Sequence, residues 1–478
     1  MARIAVIGAG LGAMAAAARL AVAGNQVTVL ERTGTYGGAV RRWERDGFAF
    51  DTGPGLLRLP AVYRDLFVKT GREPLEECVG LTQVDPAARH HFADGTTVTL
   101  PNASRAGVTA ALDAALGAGA GARWNELLAR ARTVWEATRR PLLEEPLDFG
   151  PAREALERDP YPAPRRRGLL RRRAPLLAEA GAAELRDARL TALLESGALA
   201  YGLLPGRAPA SAAVLPYLEQ TFGTWYVQGG MRELATAVYE RCLARRVEFR
   251  FTSPAARVLV RDGRAAGVEL AGDGGTVEAD TVVWGGGPVV PGAGAGQEAA
   301  AAAGDTGAGA RFTVLLALRG ARPQDTAHRT VVHGTDRTVT VLRPDDPALR
   351  PDGAHETAVL SAVLPGAAGA GDPERLADEL LATVDAAGLG LGARVLWRVP
   401  RTPADNEAET AAPGGLVPPP ALAGAGGTYL QAPNRTPVEG LYRVGGWAHP
   451  GGGLAHAGMS GALVAGLIVG GADWRGSS

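Results

Sequence analysis

The chain opens on two largely apolar runs, residues 3–8 and Gln26 to Leu30, separated by an alanine-rich stretch from about 11 to 23. Apolar strands joined by a helix predict a parallel sheet buried on both faces, because a strand with one wet face alternates instead. After Asp51 the pattern changes. Residues 81–100 alternate, and Asp94-Gly95, inside the run His91 to Val98, predicts a hairpin turn. Residues 108–200 are helical in composition, broken between 141 and 168 by Pro141, Pro146, Pro151, Pro160, Pro162 and Pro164. Strand patterning returns at 247–251, 257–260, 267–270 and 281–284, then at 312–318, 338–342 and 357–363, with a helix at 373–387. The Ala/Gly-rich stretch 291–310 reads as a low-complexity loop. Residues 450–472 are uncharged and long enough to span a bilayer, but their glycines and His456 favour a Gly-rich loop feeding a buried helix at 460–469.

A chain of 478 residues predicts at least two domains with sizeable cores. Its 50 basic and 50 acidic side chains cancel, which excludes nucleic-acid binding through an overall field. Cys78 and Cys242 form no disulfide framework, and no set of residues has metal-ligand spacing. With no readable secretory signal, a cytoplasmic protein is expected. Lys69 is the sole lysine, so the abundance of arginine carries little weight by itself.

Gly8-Ala9-Gly10-Leu11-Gly12-Ala13 fits G-x-G-x-x-G/A directly after a strand and before a helix. The first glycine permits the tight turn, the second lets a pyrophosphate approach the backbone, and the small third residue lets helix and strand pack closely. Glu31, followed by Arg32, ends the second strand, where a carboxylate can accept both hydroxyls of an adenosine ribose. Gly37-Gly38-Ala39, Asp51-Thr52-Gly53 and, far downstream, Gly445-Gly446-Trp447 extend the pattern. A nicotinamide site needs no such distant terminal block. A large fixed cofactor gripped along its length by separate segments does, and the reading is FAD.

On these motifs the sequence resembles the bacterial phytoene desaturase group of the FAD-dependent amine oxidase superfamily. Besides the opening glycines and Phe50-Asp51-Thr52-Gly53-Pro54, the resemblance is carried by Asp85-Pro86, Phe92-Ala93-Asp94-Gly95 and Trp225 to Met231. It continues through Pro433-Asn434-Arg435-Thr436-Pro437 and the terminal His449-Pro450-Gly451-Gly452-Gly453 with Ser460-Gly461. It implies an α/β fold: a discontinuous Rossmann-type FAD domain from residues 1–75, 225–290 and 405–478, and a mixed sheet-and-helix substrate domain from 76–224 and 291–404. It also implies that Gly445 and Gly446 face phosphate, that Gly458, Met459 and Ser460 approach the flavin, and that the backbone of Ala255 reads the adenine. The implied activity is oxidation of C–C to C=C on an isoprenoid or other largely apolar substrate, with hydride transfer to N5 of non-covalently bound FAD. A flavin amine oxidase, an isomerase using reduced flavin and an inactive flavin- or lipid-binding scaffold stay open.

The chain departs from the family pattern in three places. Ala39 stands where arginine is usual, with Arg41 or Arg42 as replacements. Trp447-Ala448 replaces Gly-Thr, and Ala455-His456 replaces Pro-Gly. His456 is therefore the candidate catalytic residue, either a proton acceptor beside the flavin or a histidine bonded to backbone. Arg165 to Arg173, a basic run around two leucines, is either a peripheral contact with the inner face of the membrane or a solvated face. Trp225 and Tyr226 either line the substrate cavity or pack the junction between domains.

Overall fold

The computed structural model describes residues 1–163, 174–292, 307–366, 371–471 and 473–476. A five-stranded sheet runs in the order Glu248–Arg250, Gln26–Leu30, Arg3–Ile7, Thr281–Trp284, Leu441–Arg443. All four pairings are parallel. The apolar runs of the sequence form its centre, and Ile4, Val6, Val27, Val29 and Val283 are buried there. Burial on both faces accounts for their lack of alternation.

The helix Leu11–Val22 lies on this sheet with nine buried residues, most of them alanine. Small side chains let a second helix, Leu454–Gly470, approach closely. A Cβ on Gly461 would stand 2.5 Å from the Gly12 carbonyl oxygen, and one on Gly12 would stand 2.7 Å from that of Ala457. The terminal helix thus begins well before the expected 460. Gly453 starts it at φ 100°, and the small residues that read as loop are there because neighbouring helices pack onto them. Among the described residues, no helix is long and apolar enough to cross a membrane.

A second sheet has seven strands, in the order Val395–Arg401, Ala310–Arg319, His355–Leu364, Thr338–Leu342, Arg329–His333, Ala88–Phe92, Thr97–Leu100. It is antiparallel except where Arg329–His333 runs parallel to Ala88–Phe92. The hairpin of Ala88–Phe92 and Thr97–Leu100 closes over Asp94-Gly95, as the sequence predicts. Helices including Arg105–Leu116, Ala120–Arg139, Ala188–Leu199 and Val214–Phe222 pack at one end of this sheet around Trp124, Leu127, Leu194 and Leu215. The basic run Arg165–Arg173 and most of the stretch 291–310 lie outside the described residues.

Candidate flavin cradle and adjoining chamber

Gly8 takes φ +89°, closed to most side chains, and its N–H donates to the Leu30 carbonyl at 2.8 Å, which bends the chain into the first helix. The Gly37 N–H donates to the Ala9 carbonyl at 2.7 Å, so the turn at 37–39 lies directly against the glycine motif. On the far side, the Ser460 hydroxyl donates to the His449 carbonyl at 2.9 Å and accepts from the Gly445 N–H at 3.0 Å. Asn434 donates to the same His449 oxygen at 2.7 Å. Ser460 is therefore a clasp holding the terminal loops together.

These segments enclose a cavity of about 420 Å³. Of the residues expected to hold the cofactor, Gly10, Leu11, Gly12, Ala13, Gly37, Gly38, Ala39, Thr52, Gly53, Gly445, Gly446 and Trp447 line it. Gly8, Glu31, Arg32, Asp51, Ala255, Gly458, Met459 and Ser460 do not line it. Asp51 has a different job: its carboxylate accepts from the Met231 N–H at 2.8 Å and so caps the helix Met231–Ala244. Burial raises the Asp51 carboxyl to about 6, against the pull of that N–H. Gly458 and Ser460 are buried in the terminal helix, and the cavity meets that helix instead at Gly453 to Ala457. Arg32 is at the surface, donating to the Ala408 carbonyl at 2.5 Å.

Glu31 is 6% exposed and accepts from the N–H groups of Ala9 and Thr33 and from the Thr33 hydroxyl, each at 2.8 Å. The strand end carrying it is tied to the Ala255 segment, since Ser253 N–H donates to the Glu31 carbonyl at 2.9 Å. Of the two arginines beyond Ala39, Arg41 turns toward the cradle, donating to the Gly38 carbonyl at 2.9 Å and the Thr33 hydroxyl at 3.2 Å. Arg42 turns outward to Glu44.

The residues present fit an adenine dinucleotide. A Cβ on Gly445 would meet nothing within 4 Å, and one on Gly10 only the Gly38 Cα at 3.9 Å, so bare backbone faces the cavity where a pyrophosphate needs to come close. The N-termini of two helices, Leu11–Val22 and Leu454–Gly470, open onto the same space and favour negative charge there.

Beyond the cradle the cavity continues into a chamber walled by Leu100, Val108, Trp124, Leu193, Pro216 and Val331. His456 sits at the join, 7% exposed in the first turn of the terminal helix. Neither ring nitrogen bonds to backbone or side chain among the described residues. Burial lowers the imidazole to about 4, so it is neutral at pH 7. His449 is more enclosed, with Nε2 2.9 Å from the Glu145 carbonyl. Trp225 and Tyr226 do not line the chamber; Tyr226 donates to Asp346 at 2.8 Å and packs the junction.

The sequence reading missed a polar cluster in the chamber wall. Arg58 contacts the Glu219 carboxylate at 2.7 Å, and Arg329 forms a second ion pair with the same carboxylate. Burial pushes Glu219 up, but Arg329 and Arg58 hold it well below the ordinary carboxylate range. In so arginine-rich a chain nothing local marks these positions; their only signal is an arginine heading an otherwise buried strand at 329–333.

Residues 14–469 match the flavin-containing amine oxidoreductase family. The chain belongs to that family. It is 31% identical over 289 residues to a 4,4'-diapolycopene oxygenase of Methylomonas sp, covering 59% of this chain and 55% of the relative. To a zeta-carotene-forming phytoene desaturase of Myxococcus xanthus it is 33% identical over 284 residues, covering 59% and 52%. The chain thus spans about half the length of the curated relatives it matches. A solved oxidoreductase from Methanosarcina mazei shares the fold at TM-score 0.65 and 18% identity, over 97% of this chain and 99% of that one. The cofactor of the family is a flavin, and the cradle of this chain is built for FAD.

Proposed function

We propose that the protein is an FAD-dependent desaturase that oxidises C–C to C=C in a largely apolar, functionalised substrate of isoprenoid type. The observation that carries this reading is the continuity of the flavin cradle with a chamber whose walls are mostly apolar. The name of the Myxococcus relative supports the reaction type. Bound FAD supplies the two-electron acceptor. The protein's part is to hold the reacting C–H against the cofactor and to exclude water. His456, neutral, at the cavity wall and without a partner among the described residues, would take the departing proton. An amine oxidase is less well supported: Lys69 is exposed on the helix Ala61–Thr70, and the chamber contains no lysine. Delivery of such a substrate from a bilayer would fall to Arg165–Arg173, docking on anionic lipid.

The test is anaerobic mixing of the flavin-loaded protein with a functionalised isoprenoid, farnesol or farnesoic acid, and, separately, with putrescine. Bleaching of the flavin by the isoprenoid, with recovery of a product carrying one more double bond, supports the proposal. Bleaching by the amine alone overturns it.

A further inference from the structure

The chamber holds more positive charge than it neutralises. Its ionisable lining, apart from histidine and tyrosine, comprises Arg58, Arg311, Arg329, Arg401, Glu219 and Glu409. Arg401 is paired with Glu409 at 2.7 Å, near the cradle. That leaves Arg58 and Arg329 on the single carboxylate of Glu219, with Arg311 close enough to Arg58 to feel its charge. Arg311 is the odd one. Among the described residues it has no acidic partner, and its guanidinium donates to the Ala200 carbonyl at 3.1 Å. Burial, and then the charge of Arg58, depress it to about 10. Arg58 is also incompletely served: its Nε is buried with no hydrogen-bond partner. Its guanidinium lies 5.1 Å from the ring centre of Tyr201. Tyr201 in turn borders the start of the terminal helix: a Cβ on Gly453 would meet it at 3.2 Å and the Nδ1 of His456 at 3.4 Å.

A bare hydrocarbon cannot satisfy this wall. A half-buried guanidinium in a cavity wall without a counter-charge is costly, and planar, bidentate pairing with a carboxylate is what this group does best. We infer that the chamber binds a carboxylate carried on an apolar chain, with Arg311 as its principal partner and Arg58 and Arg329 alongside. The inference rests on the desaturase reading for the apolar chain and adds the acidic end group. It places the acid on the same side of the chamber as His456, so the oxidised bond lies near the carboxyl end of the chain. The reaction that supplies the substrate must then leave an acid on an isoprenoid-like chain, as oxidation of a terminal alcohol or aldehyde does.

The test needs no turnover. The flavin-loaded protein is titrated at pH 7.5 with farnesoic acid, farnesol and farnesene, following the visible flavin band. The acid should bind at least about 10-fold more tightly than the alcohol, the usual scale for a charge-assisted hydrogen bond. In Arg311→Met that preference should vanish while farnesol binding, flavin content and Tm hold; loss of an unpaired buried charge should not unfold the chain. Arg311→Lys should keep part of the preference. If the alcohol binds as well as the acid, or if Arg311→Met keeps the preference, the carboxylate site is wrong and the desaturase reading is untouched. If Arg311→Met changes only the flavin's reduction potential, the arginine serves the cofactor and the inference is overturned. Failure of all three ligands to perturb the flavin removes the apolar chamber itself. Tight, selective binding of the acid without its oxidation keeps the site and counts against the desaturase reading.

Discussion

The Glu31 carboxylate accepts a hydrogen bond from the Ala9 N–H at 2.8 Å, which locks the acid at the end of one strand to the glycine turn that follows its neighbour. A ribose that reaches this carboxylate would find it already fixed, with little side-chain entropy left to lose on binding. Glu31→Ala should weaken FAD binding by about 1.5–3 kcal/mol, the scale of a hydrogen bond to a charged group. Flavin retained after dialysis at limiting FAD measures this. Unchanged retention would mean that Glu31 only braces the turn. In the wild type, acid precipitation should release all the flavin as the dinucleotide, since neither Cys78 nor Cys242 lies in the terminal flavin segment or lines the cavity. A yellow pellet would contradict non-covalent binding.

The contact of the two helices gives a second prediction. A methyl group on Gly461 has nowhere to go, with the Gly12 oxygen at 2.5 Å and the Ala15 Cβ at 2.8 Å. Gly461→Ala should force the helices apart and destabilise the protein by about 1–3 kcal/mol, as overpacking does. Because the same helices carry Gly12 and Gly453 to the cradle, FAD retention should fall too. A variant with unaltered Tm and flavin content would show that the helices separate at no cost.

What could be read in the sequence and what could not divides along chain distance. The glycine turn and the apolar strands are legible in runs of adjacent residues, and Glu31 in its place at the end of such a run, although the Ala9 N–H that holds it lies 22 residues earlier. The terminal helix begins at Leu454, six residues before the position its sequence suggests, because its glycines are packing surfaces for Tyr63 and Ala15, partners that lie hundreds of residues earlier. Asp51 looked like a cofactor ligand because it stands beside Thr52-Gly53, yet it caps a helix beginning at Met231. The Arg58–Glu219–Arg329 cluster is the extreme case. It draws on three distant elements, and only Arg329, at the head of a buried strand, carries any local mark.

Five histidines are kept neutral chiefly by burial: His328, His333 and His456 are lowered to about 4, His449 to about 3, and His90 well below its ordinary value. The unfolded chain takes up protons near pH 6.5 and the folded chain does not, so stability is complete above that pH and is lost as pH falls. Each such histidine adds up to about 1.4 kcal/mol per pH unit between 6.5 and its folded value. Asp51, raised to about 6, acts in the opposite sense between 3.8 and 6 and offsets one of the five. Urea midpoints should therefore be level from pH 7 to 8 and drop steeply from 6.5 toward 4.5. Equal midpoints at pH 5 and pH 7.5 would mean that these rings take up protons without unfolding.

Peripheral docking makes its own demand. Replacing Arg171, Arg172 and Arg173 by Gln should weaken sedimentation with anionic vesicles by about 1 kcal/mol per arginine at low salt. Wild-type protein that ignores such vesicles would reduce the basic run to a solvated face.

His456 carries the last prediction. An imidazole depressed to about 4 is a weak base, but loss of hydride makes the neighbouring C–H strongly acidic, and a weak base in the right place is then enough. Its nitrogens are free for this because no group among the described residues bonds them, and a buried imidazole without a partner is costly unless the substrate completes it. His456→Gly should leave flavin content intact, at about 1 kcal/mol of helix stability. Anaerobic reduction of the flavin by the native substrate should slow by about 10²–10⁴ if a positioned base is lost. The pH profile separates this role from a packing role. With His456 as acceptor, wild-type reduction should stay level from pH 8 to below 6 and fall only toward pH 4, measured over times short enough to precede acid unfolding, and that low-pH limb should be absent in His456→Gly. Reduction as fast as wild type at saturating substrate, or an unchanged limb in the variant, would show that the proton leaves by another route.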